Sequence, residues 1–252
     1  INPERADIII SGGAVLDAIL STTGTESITV SDRALRDGIL IDYLFREHKT
    51  KAAYLATSPR ERSVLHLCRA CRFEEDHADK VTDLAVSLYR RLRDVGLHEY
   101  GDNEEELLVH SCRVHDVGNF ISSTDHHKHT YYIVRNWNLL GFSDEEVEII
   151  ASTGMCHRKA FPKKTMARSM GAETLKLINV LSSVQRVADA LDRTQIGVVR
   201  EIECSYSQDN KRIDLQVHAS EDCPLEMSWL ENKKTLFEET FGVVLEPTLI
   251  VE

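Results

Sequence analysis

The sequence has no apolar run that approaches the length of a membrane span, so a membrane-crossing helix is not expected. It lacks a basic excess. Lys and Arg number 30 against 41 Asp and Glu, a formal net charge of −11, and this argues against a general nucleic-acid binder, which needs a broad basic surface. A local basic patch or a metal can still serve a phosphate substrate. Cysteine is sparse and scattered, at Cys68, Cys71, Cys112, Cys156, Cys204 and Cys223. In a chain that is neither small nor loop-rich, this reads as a reduced, cytoplasmic thiol set. Cys68 and Cys71 make a CxxC without a second pair, better read as two helix residues one turn apart than as a zinc or redox motif. There is no initiating Met and no segment with a basic head and an apolar middle. The start falls at Ile1, just before a strand-like run, and reads as a fragment whose upstream part is missing.

What is present divides into three regions. From Ile1 to about Leu44 the pattern reads strand, helix, strand, helix. Ala6–Ile10 is rich in β-branched residues, and Gly12-Gly13 interrupts the run as a turn. Val15–Leu20 has helical spacing, Ile28–Val30 is again β-like, and Arg33–Phe45 is amphipathic. This expects residues 1–50 to be the end of a larger α/β domain.

Residues 55–195 read as a helical domain. Val81, Leu84, Leu88 and Leu92 form one stripe stopped by Gly96. Asn103 with Glu106 resembles a helix cap, and Ser143 with Glu146 a capping box. Helices are expected over Lys128–Leu140, from Ser143 to about His157, and over Ala172–Asp192. Residues 196–252 read as a small α+β subdomain. Two strands, Val198–Tyr206 and Arg212–His218, flank an Asp209-Asn210-Lys211 turn. A helix over Met227–Phe241 ends at Gly242, and Val243–Val251 is a strand.

The chemistry concentrates in the helical region. His115-Asp116 is a vicinal pair at a helix end; taken alone it could be an ordinary polar terminus. His77 lies on the apolar stripe of the preceding helix, and Asp189 sits in the run Ala188-Asp189-Ala190-Leu191-Asp192 on the last long helix. Histidine, a His-Asp pair and a distant Asp on packed helices can surround a divalent cation. The order resembles the HD superfamily of metal-dependent phosphohydrolases. That resemblance implies a metal on His77, His115, Asp116 and Asp189, with Mg or Mn favoured and a transition metal also suited. Some catalytic members carry Lys three residues after the Asp, where this chain has Asn119.

Asp125-His126-His127-Lys128-His129 follows, and His157 lies further on. His126, His127, His129 and His157 are candidates for a second metal or for phosphate contacts. The alternatives are a cap from Asp125 with exposed imidazoles, and a helix end favoured by the dipole. The segment containing Arg158, Lys159, Lys163, Lys164 and Arg168 has no acidic residue. Arg158, Lys163 and Lys164, with Lys128, are candidate phosphate ligands; the alternative is a solvated loop around Pro162.

Several stretches together resemble the exopolyphosphatase / guanosine-pentaphosphate phosphatase family. They are Ala6–Ile10, Val30–Leu40, His115-Asp116-Val117-Gly118, His126–Tyr132, His157-Arg158 and Ala188–Arg193. The resemblance implies the end of an actin-like phosphatase domain, an HD-type helical domain, and release of terminal phosphate from inorganic polyphosphate or guanosine pentaphosphate. It also implies magnesium dependence, a homodimer, and catalytic residues mostly upstream of this chain. For Gly12-Gly13 it implies, instead of a turn, the lining of a nucleotide-sized cleft. Two functions remain open. The helical domain is a metal-dependent hydrolase, or it is a non-catalytic module that binds polyphosphate and holds a dimer.

Overall fold

The computed structural model describes residues 8–28, 34–36, 38–39, 58–158 and 170–251. The chain falls into two units, Ile1–Ala56 and Thr57–Glu252. In the first, helix α1 spans Ile9–Thr23 and ends on Gly24 in the left-handed conformation. Ile9 and Ile10 are therefore helical, and the strand expected over Ala6–Ile10 is corrected there. Gly12 and Gly13 lie inside α1 rather than in a turn, and the Gly12 N–H donates to the Ile8 carbonyl at 2.9 Å. The physical reason is that β propensity expresses packing against sheet neighbours, and none of the described residues in this unit forms a strand. Most of Arg33–Phe45 and all of Lys163, Lys164 and Arg168 lie outside the described residues.

The second unit is helical until its last third. Helices α2 (Pro59–Ala70), α3 (Glu75–Asp94), α4 (Asp102–Val114), α5 (His126–Asn136), α6 (Asp144–Cys156) and α7 (Ala172–Leu191) are followed by β1 (Val199–Ser207) and β2 (Arg212–Ala219). Then come α8 (Pro224–Lys233), α9 (Thr235–Phe241) and β3 (Val244–Val251). Start signals are local. Ser58 accepts the Glu61 N–H and Pro59 occupies the first turn of α2. Ser143 accepts the Glu146 N–H while Glu146 accepts the Ser143 N–H, a full capping box on α6. For α4 the expected cap at Asn103 and Glu106 is corrected. The helix starts two residues earlier, and Glu104 accepts the Gly101 N–H at 2.8 Å, because Glu106 is engaged by Arg60 at 3.1 Å.

Packing follows the apolar stripes. Val81, Leu84, Leu88 and Leu92 of α3 are all essentially buried, as are Leu107, Leu108 and Cys112 of α4. Helix α7 is buried on most of its circumference from Leu177 to Leu191, which makes it the central helix of the unit. The α5 helix is shorter than the expected Lys128–Leu140, since Trp137 is extended. Arg60 ties three elements together: it meets Glu106 of α4, Glu146 of α6 at 2.8 Å and the Phe142 ring at 4.1 Å.

The sheet has the order β1-β2-β3. The first pair is an antiparallel hairpin, and β3 joins β2 in parallel. Parallel pairing requires a crossover connection, and α8 and α9 supply it. These are two helices where one was expected over Met227–Phe241, and they pack on α7. All six cysteines are free. Cys68 is buried with its thiol donating to the Arg113 carbonyl, and burial pushes its pKa up to about 12, so the CxxC is a pair of protonated core thiols. Among the described residues no helix is long and apolar enough to cross a membrane.

Candidate functional site

Five helix ends meet around a single cleft of about 420 Å³. His77 lies in the first turn of α3, His115 and Asp116 follow α4, His126 opens α5, and His157 caps α6; Asp189 lies in the last turn of α7. Close backbone approach makes this possible at Gly118. A Cβ there would collide with the His126 carbonyl oxygen and with the Thr130 backbone nitrogen. The Gly118 N–H donates to the Thr130 hydroxyl oxygen at 3.0 Å, and that hydroxyl donates to the His115 carbonyl at 2.8 Å. The His-Asp pair is thus clamped onto α5.

Each imidazole is held at Nδ1. An Nδ1–H on His115 donates to the Cys112 carbonyl at 2.6 Å, on His77 to Asp192 Oδ2 at 2.7 Å, on His126 to the Ser123 carbonyl at 3.1 Å, and on His157 to the Gly154 carbonyl. In a neutral ring these bonds leave the lone pair on Nε2, and in a protonated ring Nε2 is a second donor. All four Nε2 atoms point inward. His77 and His115 bring theirs within 3.3 Å of each other and within 3.7 and 3.6 Å of Asp189 Oδ1. Asp116 Oδ2 lies 3.9 Å from His115 Nε2. On its other side, Asp116 Oδ1 is 3.3 Å from His126 Nε2 and 3.7 Å from His157 Nε2, and those two nitrogens are 3.0 Å apart.

Adjacent ligands about 2.1 Å from one ion stand roughly 3.0–3.4 Å from each other in octahedral or tetrahedral geometry. The shortest contacts, 3.0 and 3.3 Å, fall in that range, and the others, up to 3.9 Å, lie a few tenths of an ångström above it. The residues form two groups that could hold a metal, His77/His115/Asp116 and Asp116/His126/His157, with Asp116 common to both. Asp189 closes the first group.

The electrostatics follow from burial against pairing. Burial opposes a charge on His77, but Asp189 and Asp192 outweigh it and push its pKa up to about 9. Burial likewise opposes ionisation of Asp189, and the hydrogen bonds of His115 and His77 hold its carboxyl well below the usual carboxylate range. Burial, reinforced by the nearby charge of His115, pushes His157 down to about 4. His157 is therefore a neutral base at neutral pH.

Not every expected residue lines the cleft: His115 is fully buried and meets it only through the lining residues Asp116 and Asp189. His127 is buried beneath it and does not line it. His129 is half-buried and also lies outside the lining. Lys128 is paired with Asp125 at 2.7 Å and points elsewhere. Arg158 does line the cleft, with Nη1 3.3 Å from His126 Nδ1. Six lining residues were not singled out from sequence: Ser123, Asp192, Arg193, Gln195, Trp229 and Lys233. Asp192 was findable, since it lies three residues after Asp189 and thus on the same helix face. Trp229 and Lys233 belong to α8, and nothing in their spacing links them to the histidines.

The fold and cluster define a helical domain with a histidine–carboxylate centre. A family profile described as Ppx/GppA phosphatase, domain III, matches residues 60–234, and the chain belongs to that family. Similar proteins include guanosine-5'-triphosphate,3'-diphosphate pyrophosphatases. The one from Aeromonas hydrophila is 26% identical over 183 residues, covering 71% of this chain and 35% of the relative. The one from Aeromonas salmonicida is 25% identical over 183 residues, with the same coverages. The one from Pseudoalteromonas translucida is 24% identical over 242 residues, covering 95% and 44%. The chain thus spans less than half the length of these relatives.

Proposed function

We propose that Thr57–Glu252 carries an HD-type, metal-dependent phosphohydrolase centre. It would belong to the C-terminal part of a cytoplasmic enzyme that releases terminal phosphate from inorganic polyphosphate or guanosine pentaphosphate. His77, His115, Asp116 and Asp189 would hold one divalent ion, and Asp116, His126 and His157 would hold a second. The observation that carries this reading is the orientation of the four imidazoles. Each is anchored at Nδ1 by an acceptor and presents Nε2 toward a carboxylate oxygen, the outer-shell arrangement that metal-ligating histidines use.

Carboxylate and imidazole donors suit Mg, Mn or a transition metal. A bound ion would polarise a phosphoryl oxygen and lower the pKa of a water. The chain's own residues do the rest. Asp192 keeps His77 in its ligating tautomer, the Cys112 and Gly154 carbonyls do so for His115 and His157, and the helix ends around them exclude bulk water from the buried floor. The similarity to pyrophosphatases that act on a phosphorylated guanosine nucleotide supports the reaction class. Phosphoester turnover with added Mn²⁺ tests the reading: His115→Ala/Asp116→Ala should lose at least 100-fold in kcat/KM, and turnover equal to wild type in that variant would sink it.

A second reading is a non-catalytic module that binds polyphosphate and holds a homodimer while an actin-like part performs the chemistry. Asn119, three residues after Asp116, lines the cleft without offering a cation, and this favours it. That reading predicts salt-sensitive polyphosphate binding that weakens on Arg158→Ala, with no metal-dependent turnover in either protein.

A further inference from the structure

The wall of the cleft beside the histidine floor is built from cations that the proposed metal centre does not use. Arg158 follows His157, Arg193 follows Asp192 after the end of α7, and Lys233 ends α8; all three line the cleft. Arg186 stands behind them, its Nε–H donating to the His157 carbonyl at 3.2 Å. Among the described residues, none of Arg158, Arg193 and Lys233 forms a salt bridge. The carboxylates of the cleft, Asp116, Asp189 and Asp192, are engaged with histidines instead.

Convergent like charges repel, and a fold retains such an arrangement when an anion occupies it. Burial and repulsion from Arg186, Arg158 and Arg193 push the Lys233 amine below its ordinary pKa, with only Asp189 opposing. The group is also positioned. The Arg193 guanidinium lies 4.5 Å over the Trp229 ring, and Lys233 Nζ lies 5.7 Å from the same ring. The turn that carries Arg193 is fixed by Glu226, which is 2% exposed and accepts both the N–H and the hydroxyl of Thr194. Arg158 faces His126 Nδ1, the nitrogen whose proton goes to Ser123 in the ligating tautomer. Only Nη1 of Arg158 faces that ring; its remaining N–H donors can serve another acceptor.

We propose that Arg158, Arg193 and Lys233, braced by Trp229 and Glu226, form an anion subsite for a tetrahedral phosphate group next to the histidine–carboxylate floor. The group is either the phosphoryl of a phosphomonoester or free inorganic phosphate. The assignment deepens the phosphohydrolase reading of the same cleft, but it can be tested without it. Trp137 and Trp229 are the two tryptophans, so Trp137→Phe leaves Trp229 as the reporter of the subsite.

Inorganic phosphate and phenyl phosphate are titrated separately into the Trp137→Phe chain, in chelator, with Trp229 emission recorded. The same titrations are run in a His115→Ala/Asp116→Ala background. Saturable binding of either probe is expected in both backgrounds. Affinity should fall about tenfold for Arg193→Ala and for Lys233→Ala, and Lys233→Arg should restore most of it. Binding of the monoester identifies substrate as the source, and binding of inorganic phosphate alone identifies the free anion. Absence of saturable binding, or affinity indifferent to both alanine variants, overturns the subsite. A chain that binds phosphate here but no metal would retain the subsite and lose the hydrolase reading.

Discussion

At the scale of single residues, the molecule concentrates unusual chemistry in groups with almost no solvent. His110 gives a clean pH signature, because it lies outside the cleft. It is buried against Phe142, and burial, only partly offset by Glu106, pushes its pKa down to about 4. The unfolded chain binds this proton near 6.5 and the folded chain does not, so the contribution of His110 is complete above about pH 6.5 and is lost as pH falls toward 4. From pH 7 to pH 5, wild type should lose about 2 kcal/mol more than His110→Gln. Urea melts of both proteins at the two pH values measure the difference; equal losses would contradict the account. Gly118 is the second test at this scale. Any side chain there meets backbone rather than a movable neighbour, so Gly118→Ala should destabilise by about 2 kcal/mol or more, with the His-Asp pair displaced and metal binding weakened. A neutral melt would contradict the clamp.

At the scale of elements, legibility follows how local the determining interactions are. The α3 stripe, the Ser143 capping box and the β1–β2 hairpin could all be read, since each rests on neighbours within a turn or two. The segment at Ile8–Ile10 was misread because three isoleucines satisfy a strand pattern as well as a helix pattern, and only a neighbouring strand decides between them. The parallel partner of β2 was invisible, as pairing direction depends on the α8–α9 crossover and not on β3 itself. For the site, His77, His115, Asp116 and Asp189 were legible through their positions on predicted helices, and the structure brings them together with His126 and His157. Asp192, Trp229 and Lys233 reach the cleft through tertiary packing. The Arg60 latch is testable at this scale. It joins α2, α4 and α6 through two carboxylates and one ring, so Arg60→Ala should cost roughly 2–3 kcal/mol in denaturant midpoint-derived stability. Arg60→Lys should recover only part of it, because one ammonium cannot serve both carboxylates in the fork geometry.

At the scale of the whole chain, the Ppx/GppA domain III region brings a histidine–carboxylate cluster together from described residues of Thr57–Glu252. In the proposed centre Asp116 would be a ligand to both ions. Metal content by plasma mass spectrometry, after equilibration with Mn²⁺ or Zn²⁺ and removal of free ion, tests it most directly on wild type, His157→Ala and His115→Ala/Asp116→Ala. The account predicts about two ions per chain in wild type, about one in His157→Ala and essentially none in the double variant, because the shared carboxylate is gone. The same metal content in all three proteins, or none in wild type, would contradict it.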